Sequence, residues 1–470
     1  MENLAEPFDK AWIKKDLDDL RWAELCKKYL PFEVEGSIWR YSRAGKTGEP
    51  SQGWKLHISA TILNACDIFE RIASFLFALD VQFKAPVSLC QLARINCGVH
   101  FGYSQVGKFL TIYPINTGQA IRLAKKLHEL TAEFASPAVP FDEQFLPYSC
   151  VYYRYGAFKS INRTNAEGQV ELCIKNPRGE LVPDDRLQPV PAWVSDPFKS
   201  RRPKVKSLRE NTFLNTNYQI IRTLSQRGKG GVHLAVDLSM KMPRLCIIKE
   251  GRRNGEINWS GFDGYALVKN EHQVLSDLEK IDSSAPKVLS FFEIDGNCYL
   301  VMEYLEGESL FDLLKLRRRR FSLKQTIGFS VMIAGILENL HRAGWIWTDC
   351  KPANLIVTSQ GDLRPVDFEG AHPIGGRDLF DWRTTEFSMP YENMQGEYFG
   401  EGGDLYSLGA VLYFLLTGRF FESESPIPIN KLRRKVPKLL QKIINKLIHP
   451  HDGHKGSSAA EIRRELEKLV

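Results

Sequence analysis

Four polar residues in two short strings constrain this chain more than anything else in it: Asp349, Lys351 and Asn354 in WTDCKPANLIV, and Asp367 in VDFEG. Their spacing offers an aspartate that can orient a hydroxyl, a lysine that can neutralise charge on a transferred phosphoryl group, and two ligands for magnesium. D-x-K-x-x-N alone arises by chance in many sequences, so the weight falls on the order of the parts around it. Lys249 lies upstream in the apolar run LCIIKE, where a strand lysine could grip nucleotide phosphates, and Glu271 in ALVKNEHQVLSDL is its candidate helical partner. Before both comes LSQRGKGGVHLAVD, in which Gly228, Gly230 and Gly231 would let backbone N–H groups approach phosphate between two strands. The first glycine position of such a loop is either Gly228 or is filled by Ser225.

In that order the parts resemble a protein kinase. Glu392 in MPYENM stands where kinases close the activation segment, and Asp404 in GGDLYSLGAVLYFLLTG opens a helix too short to span a bilayer, which reads as the central buried helix of a C-terminal lobe. Two departures carry expectations. Trp347 and Thr348 replace the usual His-Arg ahead of the catalytic aspartate, so no arginine is placed to receive a phosphorylated activation loop and activity should be constitutive. Glu369 replaces the glycine after Asp367-Phe368, which argues against a switch of Asp367 into and out of the site. No phosphoryl-transfer group is missing, which disfavours a pseudokinase.

At 470 residues, 43% hydrophobic and 25% charged, the chain is long enough for two or three globular domains. Nine cysteines without a C-x-x-C pair argue against a structural zinc site and a disulfide framework, and for a reducing cytoplasm. The polar, acidic start MENLAEPFDK is no signal peptide, and no run is long enough for a membrane anchor, so no membrane association is expected. The net charge of +7 owes much to the runs at 199–209, 317–320 and 431–438. Such runs read as solvated faces, with no nucleic-acid partner implied.

About 200 residues precede the kinase-like part, more than a linker needs, and set domain limits of 1–205 and 206–470. In GWKLHISA, Trp54, Leu56 and Ile58 alternate with Lys55, His57 and Ser59, so a strand would project a cation and an imidazole from one face. A helical pattern follows in TILNACDIFERIASFLFAL, then VQFKAP with Lys84, a second strand KFLTIYP with Lys108 and Tyr113, and VYYRYGAF with Arg154. Cations and one imidazole, without a nucleophile constellation beside them, suit a phosphate-bearing substrate. Eliminating phosphate from a phosphoserine or phosphothreonine needs a base for the Cα proton, an acid for the leaving oxygen and cations around the phosphate, and a lysine whose pKa is lowered by neighbouring charge can be that base.

The succession GWKLHISA, FKAP, GKFLTIYP, PFDEQFLPYSCVYYRYGAF, RGELVPDDR and PAWVSDPF, running into the kinase motifs, resembles the class III lanthipeptide synthetases over nearly the whole chain. The resemblance implies an α+β, two-domain protein: an effector-type phosphothreonine-lyase-like domain followed by a bilobal protein-kinase-like domain. It implies His57 as general acid, Lys84 as general base, Lys55 and Arg154 as phosphate ligands and Lys108 near the leaving phosphate, with Lys84 and Lys108 both open as the base. It further implies ATP or GTP with Mg2+, a precursor peptide with a leader segment as substrate, and a separate cyclase as a possible partner. A basic run, 199–209 or 317–320, is a candidate for receiving that leader. Family members tend to carry an arginine shortly before the GKF strand. This chain has Tyr103 there, so one phosphate contact is either absent or supplied by Arg94. The large cyclase domain that follows in the family has no counterpart in this sequence, so thioether ring closure is not expected of it. Two other readings remain: a Ser/Thr protein kinase acting on a cellular protein, with an N-terminal domain that only binds phosphopeptide, and a non-enzymatic scaffold.

Overall fold

The structure, a computed structural model, describes residues 6–165, 168–198, 212–281, 284–317, 320–376, 386–389, 400–449 and 457–470. They divide into two compact units: residues 1–214 with 220–233 and 250–265, and residues 215–219 with 234–249 and 266–470.

The first unit opens with helix α1 (Glu6–Tyr29), followed by β1 (Phe32–Glu33), β2 (Trp39–Tyr41), β3 (Gln52–Ile58), α2 (Ala65–Ala78), β4 (Gln82–Pro86), α3 (Leu89–Cys97), β5 (Leu110–Tyr113), α4 (Thr117–Thr131), β6 (Glu143–Gln144) and β7 (Val151–Ala157). The seven strands form one sheet in the order β1-β2-β4-β5-β3-β7-β6, antiparallel throughout. Period-two alternation gives the sheet two unlike faces. Leu56, Ile58, Phe83, Leu110, Ile112, Val151 and Tyr153 are buried in a core with Trp22 of α1 and Ile68, Phe69, Ile72 and Leu76 of α2. The spacing of those α2 residues puts them on one helical stripe, which is why this segment is a helix docked on the sheet. Phe69 sits at the centre, with Trp22, Phe83 and Phe109 rings 5.0, 6.2 and 6.3 Å away; truncating it to alanine would cost about 3–5 kcal/mol. The opposite sheet face carries a cross-strand row, Tyr41–Lys84–Thr111–His57–Tyr152, fixed by the register. Ser88 and Asn116 cap α3 and α4 by accepting from the N–H groups of Gln91 and Gln119. A small sheet, β8 (Asn162–Thr164), β9 (Val170–Lys175) and β10 (Leu181–Pro183), follows in the order β10-β9-β8.

Strands β11 (Phe213–Leu214), β12 (Tyr218–Arg227), β13 (Gly230–Asp237), β14 (Arg244–Gly251), β15 (Val288–Ile294) and β16 (Asn297–Glu303) form a sheet in the order β11-β12-β13-β14-β16-β15, with α5 (Gly264–Leu278) between β14 and β15 in the chain. Beyond it come β17 (Gly307–Ser309), α6 (Leu310–Arg317), α7 (Leu323–Arg342), β18 (Trp345–Ile346), β19 (Leu355–Thr358), β20 (Leu363–Pro365), β21 (His372–Pro373), α8 (Glu401–Thr417), α9 (Ile429–Leu432), α10 (Lys438–Ile448) and α11 (Ala459–Glu467). Capping boxes start α7 at Ser322/Gln325 and α11 at Ser458/Glu461. Helix α8 is buried continuously from Gly403 to Thr417, which accounts for an apolar sequence with no polar stripe. Among the described residues no helix is long and apolar enough to cross a membrane. All nine cysteines are free thiols.

Candidate active sites

In the second unit, β14 delivers Lys249 and α5 delivers Glu271. The Lys249 Nζ lies 2.9 and 2.7 Å from the two Glu271 carboxylate oxygens, 2.9 Å from Asp367 Oδ1 and 3.5 Å from Glu369 Oε1. Burial alone would lower the Lys249 pKa, but Asp367 and Glu271 hold it well above its ordinary value, so the ammonium stays charged. Burial pushes the Glu271 carboxyl up to about 7 against the pull of that ammonium. Glu271 also accepts from the Phe368 N–H at 3.1 Å, which ties the α5 position to the Asp367 segment.

Asp349 follows β18. Its Oδ2 accepts from Lys351 Nζ at 2.7 Å and from Asn354 Nδ2 at 2.8 Å, so its two neighbours in the motif fix its rotamer. Burial raises its pKa, opposed by Lys351. The Val366 N–H donates to the Asn354 carbonyl at 2.9 Å, which brings Asn354 beside Asp367. With Asn354 Nδ2 engaged, its amide oxygen and the Asp367 carboxylate are hard oxygen donors that fit magnesium. Magnesium bound there with a nucleotide would neutralise charge on the phosphates. Glu271, Asp367 and Glu369 also bring one carboxylate oxygen each within 4.8 Å of one another.

The substituted positions have clear structural parts. The N–H groups of Trp347 and Thr348 donate to the buried Asp404 carboxylate at 2.9 and 2.8 Å, and His341 Nε2 lies 2.9 Å from it. The Trp347 indole donates to the Asp367 carbonyl at 3.0 Å and stacks on Phe368 with ring centroids 5.2 Å apart. The left-handed backbone is at Thr348 and Asp367, both with φ of 68°, and not at Glu369, so a side chain in place of glycine there meets no backbone penalty. Glu392 lies outside the described residues, as do the basic run at 199–209 and residues 318–319.

The three glycines are packed closely by the protein itself, and the Gly228 N–H has a protein partner. The hairpin turns at Gly228 and Lys229, between β12 and β13. The Gly228 N–H, expected to face phosphate, donates to the Cys97 carbonyl of α3 at 3.0 Å, and a Cβ at Gly228 would collide with the Asn96 carbonyl. Gly230, with φ of 148°, packs so closely on the Glu250 carbonyl that a side chain could not fit. Gly231 is buried, with the His233 ring at the place of a Cβ.

In the first unit, β3 and β7 place Lys55 and His57 opposite Arg154 and Tyr152, and β4 places Lys84 in the same polar row. Lys108 sits just before β5, after the left-handed Gly107, and not within the strand expected from KFLTIYP. Its ammonium lies 3.0 Å from Asp142 Oδ1, while His57 Nδ1 meets Asp142 Oδ2 at 2.5 Å. Arg154 donates to Asp184 Oδ1 at 2.7 Å and to the Asp185 carbonyl at 3.2 Å. The Lys84 ammonium lies 4.3 Å above the Trp39 ring. Lys55, His57, Lys84, Lys108 and Arg154 are thus brought to one face of one sheet.

Burial and the Arg154 guanidinium push the Lys55 ammonium down to about 7, and burial with Arg186 and Lys108 pushes Lys84 down to about 8. Burial pushes His57 down to about 3, opposed by Asp142. Burial also lowers Lys108, again against Asp142. Asp142 itself is buried, which would raise its pKa, yet Lys108 and His57 hold it below the usual carboxylate range. An anionic Asp142 assigns the His57 proton to Nδ1 and leaves a lone pair on Nε2. Chemically, the face offers two lysines that release protons near neutrality, an imidazole oriented by a carboxylate, and cations to hold an anion.

Sequence reasoning missed Asp142, Asp184 and Arg186. All three lie in strings that carry the family resemblance, PFDEQF and VPDDR, but outside regular strands, where no periodicity marks them. Arg94, one of the two alternatives for the contact missing at Tyr103, lies 5.9 Å from the Phe101 ring.

Residues 228–468 match the protein kinase domain family, just over half of the chain. The chain belongs to the protein kinase family. Protein kinase domains as a class carry phosphotransferase chemistry with ATP as the nucleotide. Residues 32–210 match the RamC N-terminal domain, so an N-terminal domain of that type precedes the kinase domain. The probable SapB synthase of Streptomyces coelicolor is 26% identical over 73% of this chain and 38% of its own length. A probable serine/threonine-protein kinase of Clostridium perfringens is 28% identical over 54% of this chain and 38% of its own length. Serine/threonine-protein kinase D of Synechocystis is 29% identical over 54% of this chain and 52% of its own length. The chain spans from about two fifths to about half of the length of these relatives.

Proposed function

We propose that this chain dehydrates serine and threonine residues of a ribosomally made precursor peptide in two steps, as its likeness to a SapB synthase suggests. Residues 206–470 would transfer the γ-phosphoryl group of ATP or GTP to the side-chain oxygen, and residues 1–205 would eliminate it. In the first step Asp349 orients the hydroxyl, Lys351 faces the transferred group, Lys249 held by Glu271 faces the nucleotide phosphates, and Asn354 with Asp367 would hold magnesium. Gly230 and Gly231 would lie at the nucleotide, while Gly228 anchors the turn on α3.

In the second step a neutral lysine removes the Cα proton, the Cβ–O bond breaks, and phosphate leaves, giving dehydroalanine or dehydrobutyrine. The convergence of Lys55, His57, Lys84, Lys108 and Arg154 on one sheet face carries this reading. Lys84, with its pKa pushed down to about 8 and no carboxylate bound to it among the described residues, suits the base better than Lys108, which is paired with Asp142. His57 would be the acid: a phosphate dianion beside it favours the imidazolium that burial disfavours, and Asp142 stabilises that form. Lys55 and Arg154 would hold the phosphate. One chain carrying both steps keeps the phosphopeptide at high effective concentration. A leader segment on the peptide, a separate cyclase acting afterwards and a reducing cytoplasm complete the reading.

Intact-mass spectrometry of a precursor peptide incubated with the protein, magnesium and each nucleoside triphosphate tests it. Loss of one water per modified residue is the expected result. A stable phosphoryl gain would instead favour the reading in which the kinase acts on a protein and the N-terminal domain only binds phosphopeptide.

A further inference from the structure

Five cationic side chains lie together at the polar face of the seven-stranded sheet, and Arg186 is the one that neither the sequence motifs nor the ion pairs explain. Lys108 is paired with Asp142 and Arg154 with Asp184, while Lys55 lies directly across from Arg154 and Lys84 rests on Trp39. Arg186 comes two residues after Asp184, in the segment that follows β10. It is partly buried, and its Nη1 donates to the Ser104 hydroxyl at 3.1 Å, a neutral partner. No carboxylate lies within ion-pair distance of it among the described residues. Arg186 sits in a mixed field: burial and then Arg154 lower its own pKa while Asp184 and Asp142 oppose them in part, and it is the first charged neighbour acting on Lys84.

A half-buried guanidinium beside Arg154, with the Ser104 hydroxyl as its hydrogen-bond partner and no carboxylate in ion-pair contact among the described residues, is favoured further when an anion completes the arrangement. The planar fork of arginine suits a phosphate in particular, because two N–H groups can meet two oxygens. Ser104 holds the group from one side and leaves the remaining N–H donors for a ligand.

We infer that Arg186 is a phosphate-binding residue of the lyase-like site, positioned by Ser104 next to Tyr103 and completing a cationic cradle with Lys55 and Arg154 for a phosphomonoester dianion. The inference rests on the reading that this face receives a phosphorylated side chain.

Calorimetric titration of the full-length chain with inorganic phosphate tests it, the binding removed by Lys55→Ala being that of this site. Arg186→Ala is expected to weaken this binding roughly ten-fold, the scale of one charge-assisted hydrogen bond. Arg186→Lys should recover part of the loss, and Arg94→Ala should leave affinity unchanged, with each variant's Tm checked against the parent. Unchanged affinity in Arg186→Ala, loss in Arg94→Ala instead, or no phosphate binding that depends on Lys55 would each overturn the inference. Because binding is read without turnover, the two claims fail separately. Phosphate held through Arg186 without elimination from a phosphopeptide would sink only the lyase reaction, whereas elimination with an unaltered KM in Arg186→Ala would sink only the role of Arg186.

Discussion

Asp142 joins His57 and Lys108 through its two carboxylate oxygens, at 2.5 Å to the imidazole and 3.0 Å to the ammonium. One buried carboxylate therefore fixes the ring orientation of the candidate acid and the charge state of a candidate base. Asp142→Asn would free Lys108 and allow the imidazole its other tautomer. Elimination from a phosphopeptide supplied ready-made should fall by about a hundred-fold or more, while phosphorylation of an unmodified peptide is retained. Mass spectrometry of both reactions checks the split. Equal loss in the two would point to unfolding and not to a role at the site.

The two halves of the chemistry should separate cleanly by substitution. Asp349→Asn or Asp367→Asn is expected to reduce phosphoryl transfer by at least about a hundred-fold, since on the proposed reading the first removes the group that orients the hydroxyl and the second a magnesium ligand. Elimination from an already phosphorylated peptide should continue. A scaffold without chemistry of its own would show no effect of either variant on the mass of the peptide.

Elimination should depend on pH in a definite direction. Lys84 accepts a proton only as the neutral amine, and its pKa is pushed down to about 8 by burial, Arg186 and Lys108. The value of kcat/KM should therefore rise through the range around about 8 and level off above it. The charged groups acting on Lys84 are Arg186 and Lys108, with the Trp39 ring beneath it. Removing Arg186 relieves repulsion, so the rise should move to higher pH in Arg186→Ala. A profile that falls across the same interval would exclude Lys84 as the base.

Asp404 bonds the Trp347 and Thr348 N–H groups and lies 2.9 Å from His341 Nε2. Burial would raise its pKa, but His341 and those two N–H groups hold it below the ordinary carboxylate value. A depressed folded-state pKa contributes stability that is present at neutral pH and lost as pH falls through the acid range. Asp404→Ala leaves buried donors unsatisfied and should cost about 3–5 kcal/mol, read as a drop in Tm at pH 7 that shrinks on acidification.

Gly228 has a carbonyl where a side chain would go. Gly228→Ala should cost about 1–3 kcal/mol and lower Tm by at least about 2 °C, because the hairpin must pull away from α3. An unchanged Tm would show that the turn relaxes without loss.

What could be read from the sequence was what depends on local spacing. Asp349, Lys351 and Asn354 stand within a single turn of chain, so their mutual bonds follow from the motif. Lys55 and His57 are two apart on a strand, so period two puts them on one face. Asp142 could not be read in this way, because it reaches His57 across 85 positions from an irregular segment. Asp184 and Arg186 likewise enter from a loop after a separate small sheet. The glycines were legible as a tight turn, but not the close approach of the Asn96 and Glu250 carbonyls to Gly228 and Gly230, which comes from distant parts of the chain. Trp347 was legible as a departure, while its bond to the Asp367 carbonyl and its stacking on Phe368 needed three dimensions.

The hairpin segment 220–233 and the segment 250–265 fold with the N-terminal unit, through contacts such as Gly228 on Cys97. A fragment ending near residue 205 would therefore present a bare patch of α3 to solvent, and its complement would begin with a hairpin lacking its seat. The chain segments of the two units interleave, so genetic separation near residue 205 would damage both products.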